Sequence, residues 1–175
     1  MQIVSKNSDV VLYRYPKIID KRGFFQKTFN KDALNDLGFD LKEQYFSMSH
    51  KNVLRGFHFQ TPPMECAKLI VCIKGEVLDV LVDLRKKSST YLKCFEFQLC
   101  EKKSEILYIP VGFGHAFLGK TDENILLYNI NQVYSSKNDN GILWNSTNFK
   151  WPIDQPKISN RDKGFEKLED FKSPF

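Results

Sequence analysis

Apolar residues in this chain recur mostly at every second position, in short runs punctuated by Gly, Pro, Asn, Asp or Ser. The runs over residues 10–15, 67–73, 77–84, 91–99, 106–109 and 125–134 are rich in β-branched and aromatic side chains, which suit strands packed on a pleated surface. Helical character is confined to two places. Residues 31–37 are entered at Asn30 as a capping residue and stopped by Gly38, and a second short helix is expected over 162–170. Many short strands separated by regular turns predict an all-β sandwich or jelly-roll barrel with a few short helices, whose mouth can hold a ligand.

With 175 residues and no internal repeat, the chain reads as one domain over 1–175, long enough to bury a substantial core. No apolar run approaches the roughly 20 residues of a membrane span, and the first residues lack the basic and long apolar stretches of an export signal. A soluble protein of the cytoplasm, with no membrane partner, is therefore expected. Cys66 and Cys72, like Cys94 and Cys100, are spaced too widely for a zinc knuckle and read as reduced, partly buried thiols. The net charge of +5 is mild and the lysines are scattered, which argues against a nucleic-acid polymer and suits a small anionic ligand better.

Two of the three histidines lie in strongly patterned segments, His58 in Leu54-Arg55-Gly56-Phe57-His58-Phe59-Gln60 and His115 in Ile109-Pro110-Val111-Gly112-Phe113-Gly114-His115. Imidazole exchanges a proton near neutrality, so the pair is a candidate for a base and a polar substrate contact. The Pro110-x-Gly112-x-x-His115 spacing resembles the second motif of the cupin barrels, where Pro and Gly shape a turn and the following strand carries the histidine. A metal-binding cupin would also carry His-x-His and an acid in its first motif. Here His58-Phe59-Gln60 stands instead and Glu65 is poorly spaced, so neither a metal nor another cofactor is expected.

Nearly the whole chain resembles the dTDP-4-dehydrorhamnose 3,5-epimerase family, nucleotide-diphosphate 4-keto-sugar epimerases of cupin fold. The likeness rests on Asp20-Lys21-Arg22-Gly23-Phe24-Phe25, Asn52 to Gln60, Ala67-Lys68-Leu69, Lys74 to Arg85, Tyr108 to Phe117, Leu127-Tyr128, Gly141 to Asn145 and Trp151-Pro152. It implies inversion at C3, C5 or both of a nucleotide-linked 4-keto-6-deoxy sugar without metal. The base is then His58, paired with Asp162, the enolate is stabilised by Lys68, and Tyr128 donates a proton to the opposite face. Arg22 and Arg55 would clamp the diphosphate, with Gln60, His115, Tyr134 and Lys27 as further substrate contacts. Lys27 stands where the dTDP-sugar enzymes usually carry a glutamate against thymine, which keeps GDP- or CDP-linked hexoses or heptoses open as substrates. The resemblance also implies a homodimer in which an N-terminal strand crosses to the neighbouring barrel. A sugar-nucleotide 3,4-ketoisomerase and a non-catalytic sugar-binding cupin remain as alternatives.

Overall fold

Alternating apolar positions become strands along most of the chain. A computed structural model describes residues 2–175. Its strands are β1 (Gln2–Asn7), β2 (Val10–Arg14), β3 (Lys17–Asp20), β4 (Gly23–Gln26), β5 (Glu43–Ser49), β6 (Leu54–Gln60) and β7 (Lys68–Lys74). They continue as β8 (Glu76–Asp83), β9 (Cys94–Cys100), β10 (Glu105–Ile109), β11 (Phe113–Gly119), β12 (Asn124–Ile130) and β13 (Asp139–Gly141). One sheet runs β1-β2-β10-β7-β12-β5, the other β13-β6-β11-β8-β9, and β3-β4 form a separate hairpin. All pairings between these strands are antiparallel, as a jelly roll requires.

The sheets face each other over one apolar core, in which Ile70, Leu107 and Leu126 meet Leu81, Phe97 and Phe117. Each sheet is also covered on its outer side. Leu34 and Phe39 pack on the first sheet, while Trp144, Trp151, Phe171 and Phe175 of the C-terminal segment cover the second. β7 and β8 are buried on both faces over most of their length, which is why their sequences are almost continuously apolar rather than alternating.

The 31–37 segment forms a 3-10 helix, Asp32–Leu37, rather than an α-helix. The helix expected over 162–170 is corrected to a single turn, α1 (Asn160–Lys163). Ser159 caps it by accepting from the Asp162 N–H, and Gly164 closes its C-terminal end, so the turn cannot run on to residue 170. The 91–99 run starts as a strand only at Cys94, because Leu92 takes a left-handed backbone with φ 62°. The 125–134 run leaves the sheet after Ile130, and Val133 and Tyr134 emerge into solvent. β5 lacks β-branched residues and β3-β4 are short, so neither announced itself in the pattern.

Gly56 shows how tightly β6 and β11 are set against each other. Their register shifts between His115 and Phe117. At φ +120°, a Cβ on Gly56 would lie 2.5 Å from Ala116 Cα, Ala116 Cβ and His115 O. Gly56→Ala is therefore expected to destabilise the protein by about 3 kcal/mol, from the disfavoured φ and the overlap together. A urea titration should read this as a lowered midpoint, and an unchanged midpoint would show that the strands can separate at little cost.

Candidate active site

Pairing between β6 and β11 puts His58 directly opposite His115. β12 and β7 carry Tyr128 and Lys68 on the other sheet, so both sheets contribute to the barrel mouth. An inner cavity of about 160 Å³ is lined by Tyr45, Ser47, Arg55, His58, Lys68, His115, Phe117 and Tyr128. A wider one of about 270 Å³ adds Glu43, Gln60, Cys66, Gln132, Tyr134, Asp139 and Arg161. The two share Tyr45, His58 and Lys68, which therefore stand where the cavities meet.

His58 Nε2 lies 3.0 Å from Asp162 Oδ1. The capped turn of α1 brings that carboxylate in, and the Gly56 N–H donates to its second oxygen at 3.0 Å. Burial pushes the Asp162 carboxyl up, but hydrogen bonds and charge from His58, Gly56 and Ser159 outweigh it and hold the group below its usual value. Asp162 is thus an anion that orients the imidazole. With Nε2–H directed at the carboxylate, Nδ1 carries the lone pair of the neutral ring. Phe165 packs edge-on to His58 at 5.7 Å between centroids and limits its tilt.

Lys68 is buried, and its Nζ donates to the His58 carbonyl at 3.2 Å. Burial lowers its pKa, while Cys66, Asp79 and Asp139 nearby act the other way. His115 Nε2 meets Asp79 at 2.8 Å, both side chains being almost wholly buried. Burial lowers the His115 pKa more than Asp79 raises it, and Lys68 and His58 add to the lowering, so the ring is neutral near pH 7. The other Asp79 carboxylate oxygen has no hydrogen-bond partner among the described residues. Tyr128 is 7% exposed, and burial raises its phenol above the usual value, keeping it protonated at neutral pH. Its ring stacks on Tyr45 with centroids 4.8 Å apart and lies 6.2 Å from His115.

Of the remaining predicted residues, Arg55 lines the inner cavity and is braced by Ser49 Oγ at 2.9 Å and the Met48 carbonyl at 3.2 Å. Gln60 lines the outer cavity, but its amide is committed to the chain: it donates to Met64 and Val133 carbonyls and accepts from the Ser135 N–H. Tyr134 donates to Asp139 at 3.1 Å, and Arg161 bonds the same carboxylate oxygen at 2.6 Å. Arg22 is not brought to this cavity within one chain. It sits on the β3-β4 hairpin, exposed and paired with Asp20, and Lys27 lies exposed just beyond β4.

Sequence reading missed Asp79, Tyr45, Asp139 and Arg161. Asp79 did leave a signal, a carboxylate inside the apolar run of β8, where a charge without a partner would be costly. Arg161 adjoins Asp162, and nothing in the pattern marks Tyr45. Among the described residues, no group of three or more His, Cys, Asp or Glu side chains converges as a metal site would need.

The profile of the family described as dTDP-4-dehydrorhamnose 3,5-epimerase matches residues 5–170. The dTDP-4-dehydrorhamnose 3,5-epimerase of Shigella flexneri is 36% identical over 176 residues, covering 97% of each chain. A crystal structure of the Bacillus anthracis enzyme of that name, with TDP and pyrophosphate bound, superimposes with a TM-score of 0.91 at 32% identity and covers 95% of this chain and 99% of its own. The Legionella pneumophila dTDP-6-deoxy-D-glucose-3,5-epimerase in complex with dTDP-4-keto-L-rhamnose also gives 0.91, at 26% identity, covering 97% and 93%.

Proposed function

The chain belongs to the dTDP-4-dehydrorhamnose 3,5-epimerase family, and on that footing we propose how it inverts the carbons flanking the C4 ketone of a nucleotide-diphosphate 4-keto-6-deoxy sugar. His58, oriented by Asp162, takes the proton from C3 or C5. The electron pair left behind moves onto the ketone oxygen, where the Lys68 ammonium stabilises the enolate. Tyr128 then delivers a proton to the opposite face of the ring. Exchange with solvent returns the imidazolium and the phenolate to their starting forms, so only configuration changes. The observation that carries this reading is that an Asp-paired imidazole, a buried lysine amine and a buried phenol line one cavity.

The neutral His115, whose Nε2–H is directed at Asp79, accepts a hydrogen bond from a sugar hydroxyl at Nδ1, and Tyr134 and Gln60 belong to the rim that receives the sugar. Arg55 takes the diphosphate. A thymidine diphosphate sugar is the substrate favoured by the ligands named for the Bacillus and Legionella structures. Arg22 and Lys27 reach the cavity of a second copy, in a homodimer built through the N-terminal segment. Ile18, Ile19, Phe24 and Phe25, all exposed on the same hairpin as Arg22, support that arrangement, since such a patch is costly in water unless covered. The setting proposed is the cytoplasm.

Incubation with a dTDP-4-keto-6-deoxy sugar in heavy water tests the reaction. Deuterium is expected at C3, C5 or both, together with an inverted centre, read by proton NMR. Migration of the ketone would indicate a 3,4-ketoisomerase, and a sugar recovered without label would indicate binding alone.

A further inference from the structure

We infer that Tyr45 is a positioning residue that holds the Tyr128 ring in place for opposite-face protonation. The inference rests on the reading of Tyr128 given above and adds a residue to it. Tyr45 on β5 and Tyr128 on β12 are register partners in an uninterrupted antiparallel ladder that runs from Asn124 opposite Ser49 to Ile130 opposite Glu43. Directly opposed residues project from the same face of the sheet, so the two rings meet across the strands. They do so nearly parallel, at 17° between planes and 4.8 Å between centroids. The His115 ring also packs near Tyr128, tilted by 58° at 6.2 Å. Two aromatic neighbours thus restrict the side-chain torsions that set where the phenol oxygen lies.

Exposure separates the two tyrosines. Tyr128 is 7% exposed and Tyr45 is 44% exposed, so Tyr45 is the layer between the phenol and solvent rather than part of the packed core. Tyr45 also lines both cavities where they meet. Its hydroxyl makes no hydrogen bond to another described residue, which leaves the ring face as its contribution to Tyr128.

The consequence is chemical. Once His58 has removed the proton, the enolate can be protonated again on either face. Return from the His58 imidazolium restores the starting configuration, whereas delivery from Tyr128 inverts it. A Tyr128 ring free to swing loses the second competition without affecting the first step, because misplacing a reacting group by about 1 Å costs up to about 100-fold.

The test follows both outcomes in heavy water by proton NMR, measuring total label uptake and the share of labelled sugar that is inverted. Tyr45→Ala is expected to keep uptake within about twofold and to lower the inverted share about tenfold. Tyr45→Phe, which retains the ring, should behave as wild type. Tyr45→Leu, which fills the strand position without a ring, should behave as the alanine variant. Uptake and inversion falling together in Tyr45→Ala would make the residue a substrate contact and overturn the inference. So would Tyr45→Phe being as impaired as Tyr45→Ala, which would assign the effect to the hydroxyl. Tyr128→Phe is the control: if it leaves the inverted share intact, the reading of Tyr128 itself fails. If it lowers that share while Tyr45→Ala does not, only the role of Tyr45 falls.

Discussion

Replacing His58 by alanine is expected to lower epimerisation about 10,000-fold, the upper end of what a positioned general base contributes. Deuterium uptake at C3 and C5 should vanish with it. A proton on carbon beside a ketone is only weakly acidic, so its removal needs a base already in place and already desolvated. The neighbouring groups offer no replacement. His115 packs beside the Tyr128 ring, the Lys68 amine is directed at the His58 carbonyl, and Asp162 is turned toward β6 by the Gly56 N–H. Affinity for dTDP should change by less than about threefold, because the proposed diphosphate contact is Arg55 and removal of an interaction made only in the transition state lowers kcat without weakening ground-state binding. Titration calorimetry with dTDP and label uptake by NMR check the two halves separately. Undiminished uptake would remove His58 from the chemistry.

Much of the fold was legible because its signal is local. The runs that became β2, β7, β8, β10 and β12 are dense in β-branched residues, and such residues favour a pleated, buried surface wherever the chain goes next. What was misread depends on contacts distant in sequence or on single backbone angles. Leu92 delays β9 with a left-handed conformation, and the capped turn at Ser159 ends at Gly164 because its role is to deliver one side chain to β6. β5 has neither β-branched density nor clean alternation and is held by β12 alone, so its place in the sheet could only come from tertiary pairing.

The same division holds in the cavity. His58, His115, Lys68, Arg55 and Tyr128 were legible through motif resemblance, and the structure brings them around one space. Asp162 was legible from four residues and lies within hydrogen-bond distance of His58. Asp79 does interrupt the apolar run of β8, but its partner His115 lies on another strand, so the sequence marks the carboxylate without saying what it holds. Tyr45 was invisible because stacking across two strands leaves no trace in either strand's own pattern. Arg22 and Lys27 are a different case, because in a single chain they stand on a hairpin away from His58, and their proposed role belongs to an assembly.

Substituting Phe for Tyr128 should produce the second large effect, a fall in inversion of about 1,000-fold with label uptake reduced less than about tenfold. The change removes one oxygen and leaves the ring on Tyr45, so packing and the His58 side of the site are spared. Proton abstraction then continues, the enolate is protonated again from the imidazolium, and deuterium accumulates in sugar of unchanged configuration. The ionisation of the phenol sets the pH dependence. Burial raises the Tyr128 pKa above its ordinary value of about 10, with Tyr45 and Asp79 adding to the rise and Ser47 and Arg55 opposing it. A donor works in its protonated form, which is present below its pKa and lost as pH climbs through it. Inversion by the wild type should therefore show no alkaline loss from this group below pH about 10. A step of inversion lost between pH 8 and pH 9, absent from label uptake, would mean that a more acidic group than a buried phenol supplies the second proton. Equal loss of uptake and inversion in Tyr128→Phe would instead place the phenol in the abstraction step, on the same side of the ring as His58.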